Sequence, residues 1–402
     1  MSRETQNSKL LIDIGSTYFK ISENGRIRQH LRNFDKNIFD DLTSKCGNVV
    51  SNYAKEDIHI CSSANGGLST LIIGLTNSFS LKYAINIAFN SGINIIDTVL
   101  YPKIESYKPP SEMVDVVIVV GGINSHTNIF DEKLLSYLSA VNYQNIVYVG
   151  SSAEHTFLSQ NIPTLTVLGN IISDKLQMQE DELKTYLTDL YQSDIMGKEE
   201  IKSFYEITSN QIYSTPYIVN RSLSKLDEHM DVADPFILVD IGGATTDIHY
   251  SRDLVKDNII TESLYDRLVF KKLGVFKSRE SLVFSAKQNE FVYELLNFLN
   301  VTENILEEES EKATKVLMQL AIFLVLYKTS KHHSLYVELE LEKLNSIVLT
   351  GGITKVLSLN DVQEIILFFY RKLLHFHHTP AIILDENYEI WTYGQNLNDA
   401  KE

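Results

Sequence analysis

The sequence predicts an α/β protein in which two duplicated lobes with mixed sheets enclose a cleft, with a further α/β domain inserted between them. Three observations predict it. Short β-branched runs ending in glycine recur at residues 9–15, 116–122, 146–150, 236–243 and 346–352, with helix-like stretches between them. One tripeptide occurs twice, as Asp13-Ile14-Gly15 and Asp240-Ile241-Gly242, in opposite halves of the chain. A separate run of strand and helix patterns lies between the two copies. Strands without polar alternation belong to sheets covered by helices on both faces, and the loops at their ends then carry function.

Along the chain, residues 68–75 read as strand, 81–90 as helix and 93–101 as strand, before Pro109-Pro110 breaks the pattern. A second α/β unit follows from residue 114 to about 168, with strands at 116–120, 146–149 and 164–167 and a helix at 132–140. Residues 175–205 are charged and helical in character, and a Thr215-Pro216 turn leads towards the second Asp-Ile-Gly strand. The expected division is therefore a first lobe at 1–109, an inserted domain at 110–215 and a second lobe at 216–402. The most apolar stretch, 316–327, is interrupted by Gln319 and is shorter than the roughly 20 residues of a membrane-spanning helix. It is expected to be a buried helix. The acidic run 304–311 lacks the spacing of a calcium loop and reads as a solvated helix start.

A chain of 402 residues that is 44% hydrophobic and 22% charged can bury a large core and form two or three domains. Its net charge of −16 argues against general binding to nucleic acid or an anionic membrane, so a phosphate ligand would have to be held by local groups. Cys46 and Cys61 are the only cysteines, which excludes a disulfide framework and a Cys-rich zinc site and fits a reducing interior. Residues before Leu10 are mostly polar and show no cleavage pattern, so the expected location is the cytoplasm.

The chemistry sits in the loops. The first reads Asp13-Ile14-Gly15-Ser16-Thr17-Tyr18-Phe19-Lys20 and the second Asp240-Ile241-Gly242-Gly243-Ala244-Thr245-Thr246-Asp247. Glycine lets backbone N–H groups approach phosphate oxygens, hydroxyls donate to the same oxygens, and Lys20 can reach a β- or γ-phosphate. Carboxylates beside polyphosphate need a divalent cation between them, and hard oxygen ligands suit Mg²⁺. A third apolar run closes on Gly351-Gly352, where adenine or ribose could lie against bare backbone. No P-loop or dinucleotide-binding glycine pattern is present.

These three elements resemble the phosphate 1, phosphate 2 and adenosine motifs of the actin, sugar kinase and heat-shock chaperone ATPase superfamily. Within it, Asp13 to Tyr18, the run Cys61-Ser62-Ser63-Ala64-Asn65-Gly66-Gly67-Leu68 and Asp240 to Asp247 resemble the glutamate mutase accessory family, labelled MutL-type and unrelated to the mismatch-repair protein. The likeness continues through Val120-Gly121-Gly122, Tyr213 to Asn220, Leu273-Gly274-Val275, Thr350-Gly351-Gly352 and Tyr388 to Gly394. The chain departs from the family pattern at Gly121-Gly122-Ile123-Asn124-Ser125, where a longer loop is usual, and at Phe270-Lys271-Lys272.

The resemblance implies an actin-like ATPase fold with ATP and magnesium as cofactors. Asp13 and Asp240 would organise Mg²⁺ through water, with Asp247 helping to place that water. Ser16, Thr17, Lys20, Thr245 and Thr246 would contact phosphates beside Gly15, Gly242 and Gly243, and Gly351 with Gly352 would border adenosine. It also implies a slow Mg-dependent ATPase acting as a chaperone-like reactivating factor for an adenosylcobalamin-dependent mutase of glutamate mutase or aminomutase type, with room for a homodimer. A small-molecule kinase of the same superfamily and an actin-like filament or scaffold protein are the alternatives. Two smaller signals are read as structural: His59 with Cys61, since no group orients the imidazole as a base, and His375, His377 and His378, whose spacing does not suit a metal site on one helix face.

Overall fold

The computed structural model describes residues 9–395 apart from 16, 64–67, 92, 126–127, 198, 257–258, 261–263, 271–272 and 334–336. Strands in chain order are β1 (Leu10–Ile14), β2 (Tyr18–Glu23), β3 (Arg26–Leu31), β4 (Ile58–Ser62), β5 (Ser69–Gly74), β6 (Asn94–Leu100), β7 (Val114–Val120), β8 (Tyr143–Val149) and β9 (Leu165–Leu168). They continue as β10 (Met178–Gln179), β11 (Tyr213–Ser214), β12 (Phe236–Ile241), β13 (Thr246–Ser251), β14 (Ile259–Ile260), β15 (Tyr265–Phe270), β16 (Ser346–Gly351) and β17 (Ala381–Leu384).

Two of the five-stranded sheets repeat one topology. The first runs β3-β2-β1-β4-β11 and the second β15-β13-β12-β16-β17. In each, the first strand lies at the centre, its antiparallel hairpin partner on one side and two parallel strands on the other. The hairpin turns match too. Gly15 N–H donates to Tyr18 O at 2.9 Å and Gly242 N–H to Thr245 O at 2.9 Å. The duplicated tripeptide thus marks duplicated lobes, each with its acidic residue one position before the end of a central strand.

The third five-stranded sheet, β6-β5-β7-β8-β9, is wholly parallel. Strands β5 and β6, which the expected division at 109/110 put with the first lobe, pair with β7 in this sheet. Only pairing could reveal this, because a buried parallel strand reads alike in either sheet. One face of the sheet, including Val116, Ile118 and Val147, shares a core with Leu10, Ile12 and Ile14 of the first lobe.

In the second lobe, helix Glu311–Thr329 is buried without interruption from Val316 to Leu326. Gln319 is tolerated there because its amide donates to Asp361 O at 3.1 Å. Its start is capped by the Ser310 hydroxyl, which accepts from Ala313 N–H. No helix among the described residues is long and apolar enough to cross a membrane.

Helices Thr215–Ser222 and Ile390–Gln395 pack together between the lobes, in a core that joins Leu11 and Cys61 of the first sheet to Phe236, Leu238 and Val348 of the second. Their close approach depends on Gly394, where an added Cβ would stand 2.0 Å from the Ile218 carbonyl oxygen. Backbone cannot yield as a side chain can. Gly394→Ala is therefore expected to force the helices apart and to lower stability by about 1–3 kcal/mol, read as a drop in the denaturation midpoint with an unchanged denaturant slope.

Candidate functional site

Asp13 is buried near the end of β1, and three elements converge on it. Lys20, its register partner on β2, places Nζ 3.0 Å from Oδ2. On Oδ1, the Thr215 hydroxyl donates at 2.6 Å and the Cys61 thiol lies at 3.6 Å. Burial and then the Asp13 carboxylate push the Cys61 thiol well above its usual range, so this cysteine is held protonated and is no nucleophile. Gly15 has no room for a side chain, since a Cβ would meet Tyr18 O at 2.7 Å. The Arg32 guanidinium donates to Gly15 O at 3.0 Å and its backbone N–H to Thr17 O at 2.9 Å, which braces the turn from outside. The Thr17 hydroxyl is buried and, among the described residues, makes no hydrogen bond. A buried hydroxyl in that state is suited to an incoming oxyanion. Ser16, and residues 64–67 of the Cys61 loop, lie outside the described residues.

In the second lobe, Asp240 stands opposite Asp247 on β13 and Thr350 on β16. The Thr245 hydroxyl donates to Asp247 Oδ2 at 3.3 Å. Thr246 differs from the expectation of a phosphate contact: it is fully buried and its hydroxyl donates to Leu273 O at 2.9 Å. Strand alternation explains this, because Thr246, Ile248 and Tyr250 point into the lobe while Asp247 and His249 point away from it. The turn is held from behind by Phe276 N–H and Lys277 N–H, which donate to Gly243 O at 2.9 and 2.7 Å, and by the Ser278 hydroxyl on Ala244 O at 2.7 Å.

Gly351 has φ +89°, and a Cβ there would lie 2.6 Å from both Asp240 Oδ1 and Ile241 O. Beside Gly352 the space is open. Gly351→Ala should therefore destabilise the fold by about 1–3 kcal/mol, since it combines backbone strain with a clash. It should also displace the Asp240 carboxylate, so calorimetry of ligand binding and a thermal melt should both change.

Charged groups of the two turns lie close enough to act on one another. The Asp240 carboxyl is pushed up to about 7, first by burial, with Asp247, Asp13 and Asp385 adding to the rise and Lys20 opposing it. Lys20 in turn is raised, because Asp13 and Asp240 together outweigh the effect of its burial. A first-lobe ammonium group thus feels a carboxylate from each lobe. The charge balance, with the Asp13, Asp247 and Asp385 carboxylates acting on Asp240 against the single Lys20 ammonium, suits a divalent cation. Among the described residues no three His, Cys, Asp or Glu side chains form a group that could hold a metal ion. His375, which takes φ +62° after the helical turn Tyr370–Leu374, belongs to no such group.

A family model described as MutL protein matches residues 9–394. The chain belongs to the MutL family. The resemblance read from the motifs, to the glutamate mutase accessory proteins, is therefore correct. Protein MutL of Clostridium tetanomorphum is 25% identical over 272 residues, which cover 61% of this chain and 58% of that protein's length. Similar solved structures include a ROK family protein from Streptococcus pneumoniae TIGR4 in complex with sucrose, with 12% identity, a TM-score of 0.30, and 96% of this chain and 97% of that one covered. Another is the activator of 2-hydroxyisocaproyl-CoA dehydratase from Clostridium difficile with bound ADPNP, at 11% identity and a TM-score of 0.30, covering 96% and 92%. The duplicated mixed-sheet lobes and additional α/β sheet expected from the sequence are observed in this MutL-family chain, in its own repeated strand order.

Several residues that build the site carried no role in the sequence reading. Thr215 opens the inter-lobe helix and bonds Asp13, while Asn220 on the same helix lies 3.2 Å from His249 Nδ1 on β13, so one helix touches the polar faces of both lobes. Asp385 accepts from the Thr350 hydroxyl at 2.7 Å and from Glu389 N–H at 2.8 Å, tying β16 to the start of the last helix. A cavity of about 430 Å³ lies between the β2–β3 hairpin and Lys355, Asn387 and Tyr388 of the second lobe. Thr215 and Tyr388 fall within stretches of family likeness, which was the available signal.

Proposed function

We propose that this chain is an ATP-binding accessory factor for an adenosylcobalamin-dependent mutase of glutamate mutase or aminomutase type, which couples nucleotide binding and slow hydrolysis to lobe movement. The observation that carries the reading is the electrostatic meeting of Asp13, Lys20 and Asp240 across the lobes. Family membership supports the choice of partner.

In this reading the Thr17 hydroxyl, the backbone at Gly15, Gly242 and Gly243, and the Thr245 hydroxyl would hold phosphate oxygens. Asp13, Asp240 and Asp247 would hold magnesium through water, and Gly351 with Gly352 would border the adenosine. Bound magnesium supplies the charge neutralisation that lets a triphosphate sit beside three carboxylates. Lys20 would exchange Asp13 for a phosphate oxygen. A γ-phosphate held by both turns favours closure, and its loss removes contacts that bridge the lobes. The Thr215–Ser222 helix, bonded to Asp13 at one end and to His249 further along, would pass that change to the protein surface.

The test is a reconstitution. A purified mutase allowed to inactivate during turnover should regain activity with this chain, magnesium and ATP, and should not regain it with Asp240→Ala. Failure of the unmutated chain either to bind the mutase or to restore it with ATP would overturn the reading.

A further inference from the structure

Tyr388 combines three features. Its backbone is left-handed at φ +59°, a conformation that a bulky side chain adopts only under constraint, although the residue is buried. Its ring has the Lys20 ammonium 5.6 Å and the Lys355 ammonium 5.2 Å from its centroid. It lines one cavity together with Gln29 of β3, which faces Lys20 in the β2–β3 register. The turn that presents it is fixed on both sides. Tyr388 N–H donates to Asp385 O, the Asp385 side chain accepts from Glu389 N–H, and the Thr354 hydroxyl reaches both Gly351 O and Asp385 O at 3.1 Å. A second-lobe aromatic ring thus lies over the cation that pairs with Asp13.

We propose that Tyr388 is a positioning residue: its ring holds the Lys20 ammonium between the two lobes, so that Lys20 moves from Asp13 to phosphate only as the lobes change their angle. The inference rests on the nucleotide reading of the cleft and deepens it. A cation over an aromatic face is held without a competing negative charge, so the ring restrains Lys20 while leaving it available to a phosphate oxygen. A carboxylate in the same place would trap it. The left-handed backbone fits this role, since strain persists where surrounding contacts over-determine a conformation.

The experiment is a double-mutant cycle on MgATP affinity, measured by calorimetry. Tyr388→Asn removes the ring without adding backbone strain, because asparagine tolerates positive φ, and Tyr388→Phe keeps the ring. The expected results are MgATP binding weakened about tenfold by Y388N, the worth of one desolvated cation–π contact, and affinity within about twofold of the unmutated chain for Y388F. In the Lys20→Met background, Y388N should weaken binding no further. Wild-type affinity in Y388N, or the same loss in both backgrounds, would overturn the inference while leaving the nucleotide site intact. No binding of MgATP by the unmutated chain would remove the nucleotide reading, and this inference with it.

Discussion

Lys20→Met is expected to lower stability by about 3 kcal/mol and to weaken MgATP binding by at least about tenfold. Asp13 is only 1% exposed, and Lys20 is the one cation paired with it among the described residues. Removing one partner of such a pair leaves a buried charge uncompensated, which typically costs about 3–5 kcal/mol. The lower figure applies because the lysine side chain is 21% exposed, so water reaches part of the space, and because Thr215 and Cys61 still donate to Oδ1. Asp13→Asn should be milder for stability, since an amide oxygen can still accept from Thr215 and the Lys20 ammonium left behind is partly exposed and still feels Asp240. The loss in Lys20→Met should also shrink in acid, where protonation of Asp240 relieves the carboxylate repulsion that Lys20 normally offsets. Denaturant titrations of both variants at pH 5.5 and pH 8 test the ranking. Equal stability of Lys20→Met and the unmutated chain at pH 8 would contradict it.

Asp240 makes the second large prediction, and its sign is unusual for an aspartate. The folded carboxyl titrates near 7 instead of the ordinary 3.8, so the folded state binds the proton more tightly than the unfolded chain does. Stability without ligand therefore falls as pH rises between those values and levels off above about 7. At about 1.4 kcal/mol per pH unit the interval sets a ceiling of about 4 kcal/mol on the loss. A cation and triphosphate would select the ionised form, so MgATP affinity should rise with pH up to about 7, with release of up to one proton. Asp240→Asn separates stability from function: the ligand-free variant should be more stable than the unmutated chain at pH 8, its stability should depend less on pH, and its MgATP affinity should be lost. A variant both less stable at pH 8 and unchanged in affinity would refute the assignment.

Much of this was legible in the sequence for a local reason. The turns Asp13 to Lys20 and Asp240 to Asp247 are written in consecutive residues, with glycine where backbone closes on backbone and an apolar run in front, so their geometry follows from short-range chemistry. Long-range partners were not legible. Thr215 reaches Asp13 across 202 positions, and nothing in Thr215-Pro216 distinguishes a hydroxyl aimed at a carboxylate from an ordinary helix start. Tyr388 likewise becomes informative only when β2 is seen beside it. Thr246 is instructive in the other direction: period-two alternation from Asp247 and Ile248 would have assigned its side chain to the core, and the repeated hydroxyls obscured that. The membership of β5 and β6 in the parallel sheet needed pairing information that β-branched composition does not carry.

The central claim is that the acidic turns of the two lobes jointly hold a magnesium triphosphate. It is tested most directly by titrating MgATP into the purified chain in a calorimeter, alongside Asp13→Asn and Asp240→Asn and a run with magnesium chelated. The account predicts saturable binding that disappears on chelation and is weakened at least tenfold by a substitution in either lobe. Binding that survives both substitutions, or no heat from the unmutated chain, would contradict it.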